Sequence, residues 1–216
     1  MTLDLFEFDA MLSGTENMGE QACVLRGFAA PCAADLLSAL RTIQESSPFR
    51  HMATPGGYIM SVALTNCGAL GWTSDRHGYR YTRQDPESRQ AWPPMPGSFL
   101  RLAHAAAAEA GFADFEPDAC LINRYLPGTR LSLHQDKNEK DLEAPIVSVS
   151  LGIPAVFLFG GHERGDRAAR VPLFHGDVAV WGGVDRMRYH GVMPLKEADH
   201  PLLGAQRINL TFRKAA

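Results

Sequence analysis

From residue 119 onward, the chain alternates short β-prone segments with turn residues at close intervals. The segments, in order, are ACLINRY, LSLHQD, PIVSVSLG, AVFLFG, RVPLFH, DVAVWGG, RYHGVM and RINLTFR. Short strands at this spacing are typical of antiparallel sheets, because parallel strands need long crossover connections. The pattern therefore predicts a sandwich or barrel, with a jelly-roll-like core of about eight strands.

Two amphipathic segments precede these strands and predict helices that buttress the core. The first, residues 33–46, carries four apolar side chains at helical spacing and ends at Ser47-Pro48: Leu36, Leu37, Leu40 and Ile43. The second, residues 98–110, is expected to open at Ser98 and close at Gly111.

We expect three segments within one α+β, mainly β domain. Residues 1–21 form an N-terminal extension. Residues 22–118 form a support that contains the two helices and the stretch 53–96, whose Gly, Pro, Tyr and Arg residues predict short strands and long loops. Residues 119–216 form the β core.

Composition and charge exclude several protein classes. The 21 basic and 24 acidic residues give a net charge of −3, which excludes binding of duplex nucleic acid by bulk positive charge but leaves room for a local basic groove. No dinucleotide fingerprint or phosphate loop is present. The acidic start MTLDLFEFDA and the lack of a long apolar run predict neither a secretory signal nor a membrane span. Four cysteines without a CxxC pair predict reduced thiols and a cytoplasmic protein.

A His-x-Asp motif in LSLHQD offers two metal ligands on one strand face. His134 and Asp136 are two residues apart, and such side chains point to the same side of an extended strand. His190 in RYHGVM is the candidate third ligand. Two histidines and one carboxylate form the facial arrangement of non-haem Fe(II) oxygenases, although three-ligand sites also hold zinc.

His-x-Asp alone is weak evidence for a metal site, because the motif occurs twice. The second match, His175-Gly176-Asp177, predicts a turn, since Gly176 interrupts the strand pattern.

The last predicted strand, RINLTFR, places four polar side chains on one face: Arg207, Asn209, Thr211 and Arg213. If this face points inward, its two guanidinium groups need an anion, and they could hold both ends of a dicarboxylate. Asn123 and Tyr125 could donate to the same ligand. The alternative is a solvated outer face, because charged residues are mostly exposed.

Together, NRYLPGTRLSLHQDKNE, the later YHG and the terminal RINLTFR closely resemble the AlkB family of Fe(II)- and 2-oxoglutarate-dependent dioxygenases. The segment TPGGYIMSVALTNCGALGWT resembles the bacterial DNA-repair members of this family. The resemblance runs from about residue 22 to the C-terminus. It implies a double-stranded β-helix with His134, Asp136 and His190 as the iron ligands.

The resemblance also implies the co-substrates and the reaction. Arg207 and Arg213 would hold the carboxylates of 2-oxoglutarate, with Asn123, Tyr125 and Asn209 completing that pocket. With O2 as second co-substrate, the family oxidises N-methyl groups of bases such as 1-methyladenine and 3-methylcytosine and releases formaldehyde, succinate and CO2.

On the substrate side, the resemblance implies that Trp72, Tyr79 and Arg164 face nucleic acid. Trp72 and His134 would sandwich the extracted base, and Tyr79 would touch the backbone. The surrounding stretch 72–90 interleaves aromatic residues with arginines and suits a nucleotide-recognition lid; a solvated loop is the alternative. We expect a monomer that acts on alkylated DNA, with single strands favoured and RNA as a second possibility, and no contact with membranes.

One position departs from the family pattern. Repair members carry an aspartate two residues after the metal-binding aspartate, against the base edge, whereas this chain has Asn138. Asparagine keeps an acceptor oxygen, adds a donor and removes a charge. We therefore expect a changed preference between methylated adenine and methylated cytosine.

Two alternative interpretations are compatible with the same residues. The same cofactors could serve a protein, lipid or RNA substrate, against which the basic aromatic lid argues. Alternatively, the three ligands could belong to a zinc hydrolase, or the barrel could be a catalytically silent binder. The paired arginines argue against this reading, since hydrolytic zinc has no use for a dicarboxylate.

Overall fold

The computed structural model describes residues 14–216, so residues 1–13 of the predicted N-terminal extension lie outside the described part of the chain. Within that part, two α-helices, α1 (Ala33–Ser46) and α2 (Gly97–Glu109), and two short 3-10 helices (Ala30–Cys32 and Gly183–Asp185) accompany thirteen strands. The strands are β1 (Gly14–Asn17), β2 (Ala22–Arg26), β3 (Ala63–Gly68), β4 (Gly71–Asp75), β5 (Gly78–Thr82), β6 (Ala119–Tyr125), β7 (Leu131–His134), β8 (Ile146–Gly152), β9 (Ala155–Phe159), β10 (Ala169–Leu173), β11 (Val178–Trp181), β12 (His190–Val192) and β13 (Arg207–Arg213).

The strands form two main antiparallel sheets. The larger sheet has the order β1-β2-β11-β8-β13-β6-β3, and the smaller one has the order β10-β9-β12-β7. The eight strands predicted from residue 119 onward are all present and divide equally between the two sheets. The predicted jelly-roll fold is therefore confirmed as a double-stranded β-helix.

Two hydrophobic clusters lie on opposite faces of the larger sheet, and β13 contributes to only one of them. Its apolar side chains, Ile208, Leu210 and Phe212, belong to the cluster that includes Leu36 of α1 and Phe99 of α2. The other cluster, which includes Phe157 and Trp181, lies on the side of the smaller sheet. Because side chains alternate along a strand, the polar residues of β13 point toward the smaller sheet. The solvated-face alternative is wrong, since every residue of β13 is buried.

The two helices cover the outer face of the larger sheet, as their apolar spacing predicted. Helix α1 has the predicted bounds, whereas α2 begins one residue early, at Gly97. The expected cap at Ser98 is wrong, because the N-cap position is Pro96 and it makes no side-chain capping bond. At the other end, Gly111 adopts the left-handed φ of 90° that closes a helix, as expected.

Five further strands, β1 to β5, were not predicted individually, although short strands were expected within residues 53–96. Strands β1 and β2 extend the larger sheet beyond β11, and β3 closes its other edge against β6. Arg26 on β2 binds Glu16 and Asp177, which ties this edge to the turn after β10. The larger sheet therefore begins before residue 22, within the predicted extension.

Strands β4 and β5 form a separate two-stranded hairpin, which we call the lid hairpin (residues 71–82). Asn66 of β3 bonds the backbone of Trp72 through both its oxygen and its nitrogen, at 2.9 and 3.0 Å. The hairpin is thus attached to the larger sheet. In the described residues, none of the helices has the length and apolar character needed to cross a membrane.

Candidate active site

A cavity of about 540 Å³ lies between the two sheets and the lid hairpin. All twelve residues that the sequence analysis singled out for a site line this cavity: Trp72, Tyr79, Asn123, Tyr125, His134, Asp136, Asn138, Arg164, His190, Arg207, Asn209 and Arg213. The fold therefore brings together side chains from β4, β5, β6, β7, β12 and β13 and from the connecting loops.

Strand register brings the three candidate metal ligands together. His134 at the end of β7 is the direct cross-strand partner of His190 on β12. Asp136 follows β7 by two residues, and its oxygens lie 3.6 Å from His134 Nε2 and 3.7 Å from His190 Nε2. One ligand atom of each residue lies within 4.8 Å of the others. In the described residues this is the one group of histidine, cysteine and carboxylate side chains with such geometry.

Backbone carbonyls orient both imidazoles. Nδ1 of His134 lies 2.9 Å from the Ser132 carbonyl, and Nδ1 of His190 lies 3.0 Å from the Arg188 carbonyl. A carbonyl can only accept, so each Nδ1 carries the proton and each Nε2 presents a lone pair to the centre. Burial, reinforced by the neighbouring His190, lowers the pKa of His134 to about 4. This keeps its imidazole neutral, as metal binding requires.

Asp136 is ionised and held by Arg213. Nε and Nη2 of Arg213 donate to Oδ2 of Asp136 at 2.8 and 2.6 Å. Burial alone would raise the pKa of this carboxyl, but the Arg213 guanidinium holds it well below its usual range. The centre is therefore one anionic oxygen donor and two neutral nitrogen donors, a set that suits Fe(II).

The inner face of β13 continues from this centre as a polar wall. Asn209 donates to Ser148 Oγ at 2.8 Å and accepts from Asn123 at 3.1 Å. Arg207 donates through Nη2 to Ser150 Oγ at 2.9 Å, and its guanidinium lies 5.1 Å from the centre of the Tyr125 ring. This wall contains both arginines expected to hold a dicarboxylate.

Arg207 is the clearest sign of an anion-binding site. Its Nε and Nη1 are buried and have no hydrogen-bond partner among the described residues. Leaving such donors unpaired costs about 1–3 kcal/mol, more for a charged group. A carboxylate at this point would satisfy both donors in the paired geometry that guanidinium favours. The donor set therefore fits 2-oxoglutarate beside the metal ligands, with Arg207 free to receive it and Arg213 already engaged with Asp136.

The four residues predicted to face the substrate, Trp72, Tyr79, Asn138 and Arg164, also line the cavity. Trp72 on β4 and Tyr79 on β5 stack with ring centroids 5.5 Å apart and an interplanar angle of 15°. Asn138 is exposed, and its Oδ1 lies 3.5 Å from Nε1 of Trp72. Arg164 is exposed and lies over the Tyr189 ring at 5.5 Å. This part of the cavity thus presents aromatic surface flanked by cationic and amide groups.

The arginines of the predicted lid stretch 72–90 do not line the cavity. Arg80 pairs with Asp75 inside the lid hairpin. The exposed cations at the cavity are instead Arg130, Lys137 and Arg164. Of these, only Arg164 was singled out from the sequence, because Arg130 and Lys137 lie in turns without a distinguishing pattern.

Sequence analysis also missed a buried polar cluster beneath the metal ligands, formed by Tyr81, Glu139 and Arg186. A glutamate three residues after Asp136 gave no signal of burial, and neither did an arginine in the loop before β12. By contrast, the second His-x-Asp match lies in the predicted turn: Gly176 has a φ of 88°, and Asp177 binds Arg26 rather than a metal group.

Comparison with known proteins agrees with this geometry. The model of the 2OG-Fe(II) oxygenase superfamily matches residues 21–213. The alpha-ketoglutarate-dependent dioxygenase AlkB of Salmonella typhimurium is 58% identical over 99% of this chain and 98% of its own length. The AlkB dioxygenase of Escherichia coli K12 is 57% identical over 93% of each chain.

A solved structure titled "The structure of OsALKBH1" superposes with a TM-score of 0.81 at 26% identity, covering 93% of this chain and 100% of that one. The chain therefore belongs to the AlkB family of the 2OG-Fe(II) oxygenase superfamily, and it is a dioxygenase that uses Fe(II), 2-oxoglutarate and O2.

Proposed function

We propose that this dioxygenase repairs alkylated nucleic acid by oxidative demethylation of 1-methyladenine and 3-methylcytosine, chiefly in single-stranded DNA. The observation that carries the proposal is a single cavity. In it, a His-Asp-His centre, a buried arginine with two unpaired donors and a stacked aromatic pair lie together. Dealkylation of nucleic acids fits the membership in the AlkB family.

In this proposal, His134, Asp136 and His190 hold the iron. The neutral imidazoles and the ionised carboxylate occupy one side of it, and the other side stays open for the co-substrates. Iron with 2-oxoglutarate and O2 supplies the oxidation of the N-methyl group, which then leaves as formaldehyde. The protein supplies orientation and exclusion of water.

Arg207 and Arg213 bind the carboxylates of 2-oxoglutarate in this scheme, with Asn123, Tyr125 and Asn209 around the ligand. Support comes from the two unpaired donors of Arg207 and from the buried bonds that fix Asn209. Because burial removes competing water, such charge-assisted bonds are strong and directional.

Trp72, Tyr79, Asn138 and Arg164 bind the substrate. A base extracted from a strand needs a planar surface, and Trp72 with His134 offers one on either side of it. Arg164 and Tyr79 are exposed and can meet the phosphate backbone. Single strands are favoured because no unpairing energy is then needed.

The rival zinc hydrolase reading uses the same three ligands. A zinc hydrolase would leave the buried Nε and Nη1 of Arg207 without a hydrogen-bond acceptor, whereas a dicarboxylate co-substrate would accept from both. A sister enzyme for protein or lipid would in turn have no use for the stacked aromatic pair and the exposed cations at the cavity.

The proposal is tested with short oligonucleotides that carry one 1-methyladenine or one 3-methylcytosine, incubated with Fe(II), 2-oxoglutarate and O2. We expect mass loss of one methyl group, equal formation of formaldehyde and succinate, and no loss when 2-oxoglutarate is omitted. Parallel single-stranded DNA, duplex DNA and RNA substrates rank the nucleic acids. An unchanged mass on all of them would refute the proposal.

We also propose that the enzyme is a cytoplasmic monomer. All four cysteines are free, three of them buried, which suits a reducing compartment. Light scattering of the purified chain and fractionation of cells test these two points.

A further inference from the structure

Beneath the cavity lies a buried cluster of four charges: Asp136, Glu139, Arg186 and Arg213. Arg186 and Glu139 are each 2% exposed at their side chains, and their closest atoms are 3.2 Å apart. Arg186 also donates to the carbonyl of Asp136 at 2.7 Å. Two positive and two negative groups balance each other here, as buried charges require.

Glu139 is connected to the site but does not line it. The cavity lining includes Asp136 and Arg213 but neither Glu139 nor Arg186. Oε1 of Glu139 lies 3.5 Å from Nε of Arg213, on the same guanidinium that donates to Asp136. Arg213 is thus held between a carboxylate that lines the cavity and one that lies behind it.

Tyr81 of the lid hairpin completes this arrangement. Its hydroxyl donates to Oε1 of Glu139 at 2.6 Å. Tyr81 is the cross-strand partner of Trp72. Trp72 lines the cavity, whereas Tyr81 contacts Glu139 behind it. A short hydrogen bond to a carboxylate is among the stronger ones, and it fixes the carboxylate that holds Arg213.

We propose that Glu139 is a positioning residue for Arg213 and that Tyr81 fixes Glu139 in place. Without the carboxylate of Glu139, the guanidinium of Arg213 has Asp136 as its only anionic neighbour and moves closer to it. Arg213 then presents fewer donors to the carboxylate of 2-oxoglutarate and competes more strongly with iron for Asp136. This inference rests on the proposed role of Arg213 in binding 2-oxoglutarate.

The test is an anaerobic titration of the Fe(II)-loaded protein with 2-oxoglutarate, followed by the visible charge-transfer band. We expect Glu139→Gln to raise the Kd for 2-oxoglutarate about tenfold, the lower range for substitutions behind a metal site. Tyr81→Phe should raise the Kd by a smaller factor, and Glu139→Asp, which keeps the charge, should give a Kd between those of the wild type and Glu139→Gln.

Thr82→Val is the matched control. It removes one hydroxyl from the neighbouring residue of the same strand, and that hydroxyl has no hydrogen-bond partner among the described residues. We expect its Kd to equal that of the wild type. Circular dichroism shows that each variant is folded. If Glu139→Gln does not fold, Tyr81→Phe decides the question.

An unchanged Kd and an unchanged band in folded Glu139→Gln or Tyr81→Phe, with a wild type that binds normally, would overturn the inference alone. A wild type that binds no 2-oxoglutarate would overturn the proposed function together with it. The two failures are therefore distinguishable.

Discussion

At the scale of single residues, the two oxygens of Asp136 have different partners. Oδ2 receives both bonds from Arg213, whereas Oδ1 faces Nε2 of His134 at 3.6 Å. Oδ1 therefore keeps the freer lone pairs for a metal ion, and Oδ2 keeps the carboxylate oriented. The ion pair between Asp136 and Arg213 thus orients the carboxylate and leaves its Oδ1 available to a metal ion.

Replacing His134 tests the metal assignment. His134→Ala leaves two ligands, and we expect formaldehyde release to fall at least about a hundredfold, with weaker Fe(II) binding by calorimetry. His175→Asn is the matched control, because it changes the histidine of the other His-x-Asp match. Turnover retained in His134→Ala would contradict the assignment.

We expect Asn138 to set the preference between methylated adenine and methylated cytosine. Asn138→Asp restores a negative charge beside a cationic methylated base, which favours the charged forms of 1-methyladenine and 3-methylcytosine. We expect kcat/KM to rise by a fewfold and the ratio between the two lesions to change. Both lesions are measured on the same oligonucleotide sequence, and identical rates and ratios would exclude this role.

At the scale of elements, strand alternation made β13 predictable, because a buried face with two arginines needs an anionic partner. The same rule placed His134 and Asp136 together, and helical spacing placed α1. Strands β1 and β2 were missed, since a four-residue exposed strand such as β1 carries no alternating pattern. Glu139 was missed because its burial depends on Tyr81 and Arg186, which lie 58 and 47 residues away.

The turn that carries the chain from β8 in the larger sheet to β9 in the smaller sheet depends on a glycine. Gly152 has a φ of 98°, and a Cβ there would lie 2.2 Å from the Gln206 carbonyl oxygen. Gly152→Ala should therefore lower the free energy of unfolding by about 2–3 kcal/mol, measured by urea denaturation. Gly165→Ala is the control, since a Cβ there meets no atom within 4 Å. Equal stability of both variants would contradict the proposed strain.

At the scale of the whole molecule, the net charge of the chain is negative, whereas a group of exposed side chains at the cavity is positive. The chain carries a net charge of −3, yet Arg130, Lys137 and Arg164 are exposed at the cavity. We therefore expect the attraction of a nucleic acid strand to come from these three cations, over a distance of about 10 Å at 0.1 M salt.

This charge distribution predicts a shallow salt dependence of nucleic acid binding. Three phosphate contacts to a single strand give a slope of about −2 in log K against log salt concentration. Fluorescence anisotropy with a short methylated oligonucleotide measures it. Arg164→Gln should reduce the magnitude of the slope by about 0.7. A slope near zero would show that these cations do not contact phosphates.

We expect the acid stability of the whole fold to depend in part on a pair of histidines, His175 and His200, that do not line the cavity. The rings of His175 and His200 stack with centroids 4.3 Å apart, which joins the turn before β11 to the connection before β13. His175 Nδ1 accepts from the Gly152 backbone at 3.0 Å, so its neutral form is required. Burial, with the neighbouring His200, lowers the pKa of His175 to about 4.

In the unfolded chain, the imidazole of His175 has its ordinary pKa of about 6.5. Between about pH 6.5 and pH 4, the unfolded state binds a proton that the folded state does not, so the free energy of unfolding falls as the pH falls. His175→Asn keeps an acceptor for the Gly152 N–H but does not titrate. Urea denaturation at pH 7 and pH 5 should therefore show a smaller loss of stability in this variant than in the wild type. Equal losses would mean that His175 is protonated as easily in the folded as in the unfolded state.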